Sequence, residues 1–214
     1  MKDQKERLIQ HWQTSGIIKD EDVIEAFRKV PREHFIPAPM RKHAYDDDAL
    51  PLFEGQTISQ PTTVMIMTQA LEVKEGMKVL EVGSGSGYQA ALLSKLVGPD
   101  GFVITTEILP SLYKFAKSNL RDYKNVEVLK VDGMLGYEKE ALYDRIIITA
   151  ACSEVSTELQ QQLKIGGVLV APVGSSYVQH MTKMKNLGSG WLKEPLGDFL
   201  FVPVTGKYRS KKNL

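Results

Sequence analysis

Residues 79–93, VLEVGSGSGYQAALL, set a short apolar run, three glycines and a helical run end to end. The run MKVLEVG predicts a strand with little polar alternation, and YQAALLSKLV predicts a helix by period and composition. A glycine-rich turn between strand and helix lets a ligand approach the backbone, with amide N–H groups pointing at it. The spacing is G-x-G-x-G through Gly83, Gly85 and Gly87, with Ser84 inside the turn. That is neither the G-x-G-x-x-G of dinucleotide sites nor a phosphate loop, which ends in Lys-Ser/Thr. Glu81 stands two positions before the first glycine. A carboxylate there would sit badly beside a pyrophosphate and suits a ligand carrying an amino group or a sulfonium.

The same alternation continues downstream. GFVITTE predicts a strand, and Leu109 to Leu120 a helix with Pro110 in its first turn. NVEVLKV and DRIIITAA predict further strands, Ser156 caps a helix through Leu163, and GGVLVAPVG closes the series. This order predicts an α/β fold, a doubly wound, mostly parallel, Rossmann-like sheet. From about Gly174, YVQHMTKMKN alternates at period two and FLFVPV reads as an apolar strand. Two late strands without a long helix between them predict an antiparallel C-terminal edge. Upstream, Lys2 to Gln13 predicts a helix, and Asp20 caps a second through Lys29. Prolines 31, 37 and 39 then break VPREHFIPAPM. The predicted organisation is a helical extension ending in a polar loop (1–61), an α/β core (62–174), C-terminal strands completing the same domain (175–206) and a basic tail (207–214), read as solvated.

Two more acids fall at strand ends. Glu107 lies twenty residues after Gly87, where a carboxylate accepts hydrogen bonds from ribose hydroxyls. Asp132-Gly133 follows the third strand, placing a carboxylate for an exocyclic amine such as that of adenine. Singly, each has a plainer explanation: a tight turn, a helix N-terminal acid, a turn cap. Together, at the ligand-binding edge of an open sheet, they describe S-adenosylmethionine (SAM) and the fold of a class I SAM methyltransferase.

Whole-chain properties narrow the field. With 27 basic and 26 acidic residues in 214, no global field argues for nucleic acid or a membrane surface. One cysteine, Cys152, excludes an intramolecular disulfide and a cysteine-cluster metal site, and it reads as a small apolar filler. No run reaches membrane-span length, and MKDQKERLIQHW lacks the apolar stretch of a secretory signal, so the expectation is a cytoplasmic monomer. Asp46, Asp47 and Asp48 read as a solvated loop, since consecutive carboxylates point apart. His11, His34, His43 and His180 show no metal spacing, and no metal is expected. Trp12, Phe27, Met65 and Met67 read as core.

A short polar loop, GQTISQP (residues 55–61), lies between apolar stretches just upstream of the core. With VPREHFIP and AYDDDALPL before it, and VLEVGSGSGYQAALL, DRIIITAA, QQLKIGGVLVAPVG and FVPVTGKY after it, it resembles the protein-L-isoaspartate O-methyltransferases over roughly residues 20 to 208. The resemblance implies methyl transfer from SAM to the free carboxylate of an L-isoaspartyl residue in a damaged protein, leaving S-adenosylhomocysteine. The ester then closes to a succinimide that can reopen to aspartate. It implies that Ser59 is the active-site serine, with Thr57 and Gln60 beside it in the substrate site. It implies too that the segment from Val202 to Thr205 helps close the site over the peptide. The cofactor positions fall on Glu81, Gly83, Ser84, Gly85, Gly87, Glu107, Asp132 and Gly133.

That reading gives the polar loop a physical use. A carboxylate at neutral pH is already ionised and needs no general base. The protein has to desolvate and aim it, which can be worth about 7–11 kcal/mol. Neutral donors can hold it by charge-assisted hydrogen bonds without repelling a sulfonium. Ser59 also reads as an N-cap for the helix after Pro61. The chain departs from the family pattern at Phe53-Glu54, where a glycine is common, and at Thr62-Thr63, where an aromatic or histidine is frequent. These departures leave open a SAM methyltransferase with a small-molecule or RNA acceptor, and a SAM-binding module without turnover.

Overall fold

A computed structural model describes residues 2–175 and 177–208. Two helices open the chain, α1 (Lys2–Ser15) and α2 (Glu21–Lys29). Asp20 caps α2, its Oδ1 accepting from the amides of Asp22 and Val23. Short 3-10 turns at Arg32–Phe35 and Ala38–His43 lead to a small hairpin, β1 (Leu50–Pro51) and β2 (Thr57–Ile58), and to α3 (Pro61–Ala70). The core follows as β3 (Lys78–Val82), α4 (Tyr88–Val97), β4 (Phe102–Thr106), α5 (Pro110–Asn119), β5 (Val126–Leu129), β6 (Tyr143–Ile148), α6 (Thr157–Gln161) and β7 (Leu163–Gly174). Two further strands end it, β8 (Gln179–Asn186) and β9 (Trp191–Phe199).

The large sheet has the order β5-β4-β3-β6-β7-β8-β9. Strands β3 to β7 run parallel, and β8 and β9 add an antiparallel edge. Successive side chains enter opposite faces, as strand geometry requires. Val79, Val103, Ile147 and Val170 pack with α1 to α4, while Leu80, Ile104, Ile146 and Leu169 pack with α6 and its flanking turns. Burial on both faces explains why these strands carry no polar alternation. The chain runs outward from β3 to β5, then returns to β6 on the other side of β3. The connections after β3 and β6 therefore leave in opposite directions and open a crevice at their carboxyl ends.

Three expectations change. The helix capped by Ser156 stops at Gln161, and Leu163 begins β7, paired with Tyr143 and buried. The last strand is Trp191–Phe199, not FLFVPV. Its side chains are mostly exposed, so it carries no apolar signature; Val202 to Val204 line the crevice, where Ala151 exchanges backbone hydrogen bonds with Val202 and Val204, while Leu200 is exposed. The tail is anchored at its start: the Lys207 amide donates to Asp132 and the Tyr208 hydroxyl to Glu158. Residues 209–214, with the rest of the basic tail, lie outside the described residues.

Removing the α2 cap with Asp20→Ala is expected to cost about 1 kcal/mol. Urea unfolding should show a lower midpoint at an unchanged slope.

Candidate active site

At the crevice, the β3 and β6 backbones part just after Val82 and Ile148. Thr149 bridges the gap, its hydroxyl in reach of the Val82 and Gly83 carbonyls. The glycine turn begins here. Gly83 has φ +97°, and a Cβ on it would lie 2.6 Å from Thr149 Oγ1, so only glycine lets the chain turn against β6. Gly87 has a different task. It starts α4 at φ +87°, and a Cβ there would meet Leu120 Cδ1 at 2.8 Å, so it permits helix packing and does not line the cleft.

The cleft gathers most of the residues singled out by the sequence. Glu81, Gly83, Ser84, Gly85, Glu107, Asp132 and Gly133 form one wall; Thr57 and Ser59 form another; Val202 to Thr205 close a third. Thr149, Tyr88, Gln89 and Met67 also line it, although none of them is assigned a role in a site from the sequence.

Glu81 is the most demanding group. It is fully buried, and among the described residues neither carboxylate oxygen has a hydrogen-bond partner. Burial pushes its pKa up to about 8, the neighbouring Thr105 hydroxyl pulls the other way, and Glu107 adds to the rise. A buried carboxylate facing a cleft without a donor fits a cationic ligand group. Glu107 is better satisfied. Its Oε2 accepts from the Gly85 amide, and its Oε1 from the amides of Ile108 and Leu109. Those three bonds use most of its roughly four acceptor sites and tie the glycine turn to β4. Burial still raises its pKa, against the pull of the same amides. Asp132 is also engaged, accepting from the Met134 amide at 3.1 Å and the Lys207 amide at 2.9 Å. It therefore caps a turn and holds the C-terminal segment beside the cleft.

The polar loop is held from outside itself. Gln60, not Ser59, occupies the N-cap position of α3 and makes no side-chain cap. The cap comes from Asp47, fifteen residues upstream. Its Oδ1 accepts from the Thr62 amide, and its Oδ2 from the Thr62 hydroxyl and the Gln60 side-chain amide. Asp47 is thus a structural anchor and not part of a solvated triplet; only its neighbour Asp46 has a local partner, His43. Gln60 points away from the cleft, committed to Asp47 and Thr63. Thr62 accepts from the Trp12 indole at 2.7 Å, which fastens α1 to the loop. Beneath the loop, fully buried Arg32 donates to the Ser59 carbonyl at 2.7 Å and the Ala44 carbonyl at 2.9 Å. The Ser59 hydroxyl has no hydrogen bond among the described residues.

The Phe53-Glu54 departure stays out of the cleft. Phe53 packs edge-on against Phe115, and Glu54 accepts from Ser111 in the first turn of α5. Glu54 takes the left-handed conformation, φ +54°, that a glycine would adopt freely. Cys152 is buried in the second core cluster, where burial pushes its thiol up to about 12.

A family profile described as protein-L-isoaspartate(D-aspartate) O-methyltransferase matches residues 3–209. A protein-L-isoaspartate O-methyltransferase from Methanopyrus kandleri is 44% identical over 207 residues, 95% of this chain and 92% of its own. One from Ignicoccus hospitalis is also 44% identical over 207 residues, 95% of this chain and 98% of its own. A solved protein-L-isoaspartate O-methyltransferase superposes with a TM-score of 0.86 at 27% identity, over 96% of this chain and 67% of that one. Another, described as a putative enzyme of this type from Plasmodium falciparum in complex with S-adenosyl-L-homocysteine, gives 0.82 at 26% identity, over 93% and 97%.

Glu81 carries a pH signature. The folded protein keeps it protonated up to about pH 8, whereas the unfolded chain loses that proton near 4.5. Between those values the folded state binds more protons, so stability falls as pH rises. Thermal melts without ligand should show Glu81→Gln gaining on the parent chain from pH 5 to pH 8; a constant difference would refute the assignment.

Proposed function

The chain belongs to the protein-L-isoaspartate(D-aspartate) O-methyltransferase family, and on that premise we propose how its cleft performs the reaction. The activity is methyl transfer from SAM to the free carboxylate of an L-isoaspartyl residue, which initiates repair through a succinimide. The observation that carries our assignment is one cleft lined by both Glu81, a buried carboxyl group without a hydrogen-bond partner, and Ser59, whose hydroxyl is not engaged by another described residue.

SAM, when bound, supplies an activated methyl group and leaves as neutral S-adenosylhomocysteine. Glu81 would face its positive end, where a cation favours the ionised carboxylate that burial alone disfavours. Glu107 takes the ribose with its remaining acceptor site while it holds Gly85 in place. Asp132 and Gly133 take the base edge. The Ser59 hydroxyl donates to one oxygen of the acceptor carboxylate, with Thr57 on the same wall. The other oxygen is thereby aimed at the methyl carbon. No side chain has to remove a proton, because the acceptor is ionised at neutral pH. Val202 to Thr205 cover the cleft and exclude water, which strengthens each of these contacts. Gln60 and Gly87 serve the loop and the helix, not the ligands. No helix among the described residues is long and apolar enough to cross a membrane. We place the protein in the cytoplasm as a monomer, acting on damaged proteins and peptides and not on nucleic acid, in line with its balanced charge.

Two synthetic peptides differing only in L-isoaspartate or L-aspartate at one position test the reading, with labelled SAM as donor. Label should enter only the isoaspartyl peptide; equal labelling of both, or of neither, refutes it. Ser59→Ala is expected to lower kcat/KM for that peptide by about tenfold to a hundredfold, the value of a hydrogen bond to a charged group. Its affinity for SAM, measured by calorimetry, should stay unchanged.

A further inference from the structure

Arg32 is a buried charge with no carboxylate in contact with it among the described residues. It is fully buried, and its hydrogen bonds among the described residues go to carbonyl oxygens, not to a carboxylate. Its Nη1 has no partner there. Asp47 acts on it only through space, its oxygens accepting from Thr62 and Gln60, and the neighbouring Glu33 accepts from the Tyr45 hydroxyl at 2.5 Å. Burial pulls the guanidinium down to about 10, which still leaves it charged at neutral pH. Its Cζ lies 5.0 Å from the centre of the Tyr88 ring, and Tyr88 lines the cleft. Stacking of this kind offsets only part of what burying a cation costs. A neutral residue of similar volume would pin the chain at lower cost, so the charge itself calls for a use.

The cleft contains its counterpart. Glu81 is a buried carboxyl group without a partner, which a cationic ligand group would favour in its ionised form, and Arg32 is a buried cation with a free N–H, behind the wall that carries Ser59. We propose that Arg32 is a positioning residue for the acceptor: it fixes the Ser59 carbonyl and sets a permanent positive charge behind the neutral donors, so that with Glu81 the cleft is polarised for a carboxylate at one wall and a cation at the other. This rests on the acceptor carboxylate lying at Ser59, as proposed above. The arrangement resolves a conflict of charges. A cation in direct contact with the carboxylate would repel the methyl donor and blunt the nucleophile. One layer back, it favours the carboxylate while Glu81 stands nearer the donor. It also gives the protein a means of its own to prefer an ionised acceptor over its amide or ester.

The test compares binding of the isoaspartyl peptide with the same peptide carrying a carboxamide in place of the free carboxylate. S-adenosylhomocysteine is bound throughout, so no sulfonium contributes to the preference. The acid should bind about tenfold or more tightly than the amide, as a charge-assisted contact implies. The ratio should persist from low to high salt, because a buried charge is poorly screened while surface lysines are screened well. Arg32→Met should bring the ratio close to one without changing the affinity for S-adenosylhomocysteine, and Arg32→Lys should restore most of it. A purely structural pin would weaken acid and amide binding equally. Equal binding by the parent protein, a ratio that collapses with salt, or a ratio unchanged in Arg32→Met overturns the inference; the first two need no variant to fold. Methylation of the isoaspartyl peptide alongside equal acid and amide binding removes only this inference. Failure to methylate it removes the functional reading, and this inference with it.

Discussion

Where β3 and β6 lie side by side and their connections part, the sheet stops being able to satisfy its own backbone. Thr149 fills that gap through the Val82 and Gly83 carbonyls, and Gly83 turns hard against it. Every other feature of the site is placed relative to that divergence. The glycine turn leaves β3 on one side, the strand exit at Ala150 to Cys152 leaves β6 on the other, and the cleft is the space between them. Glu81, two residues before the turn, is carried into that space with no donor of its own.

The first sixty residues hold a loop rather than form a separate unit. Trp12 fastens α1 to Thr62, Asp47 caps α3 from fifteen residues away, and Arg32 pins the Ser59 carbonyl from beneath. A loop of Gly, Thr, Ser and Gln has little apolar surface to bury and would otherwise sample many conformations. Contacts from three upstream segments fix it, and they leave the Ser59 hydroxyl facing the cleft. The substitutions that depart from the family pattern follow the same logic. Thr62 joins the Asp47 network, while Phe53 and Glu54 dock on α5. None brings a charge into the lining of the cleft.

Burial without pairing recurs at the site. Most buried polar groups in a fold find hydrogen-bond partners. The buried side-chain atoms without one among the described residues belong to Glu81, Arg32 and Tyr88, all in or directly behind this one cleft. Their cost is borne by a fold whose two large apolar clusters lie on either side of the sheet.

The sequence alone determined the parallel sheet and the glycine turn with acids at its strand ends. Apolar runs buried on both faces, glycines at a strand end and acids after successive strands are local signals, legible because each depends on a few neighbouring residues. The same locality explains the misses. β9 is exposed and polar, so its pairing with β8 rather than its composition makes it a strand. Asp47 and Arg32 looked like a solvated acid and part of a broken, proline-rich stretch, because their partners lie twelve to twenty-seven residues away. Gln60 was read from its place beside Ser59, yet helix geometry turns it toward Asp47. Only the tertiary structure decided which polar groups are satisfied and which are left facing the cleft. Hydrogen bonding between distant segments is a property of three-dimensional proximity, and no spacing along the chain encodes it.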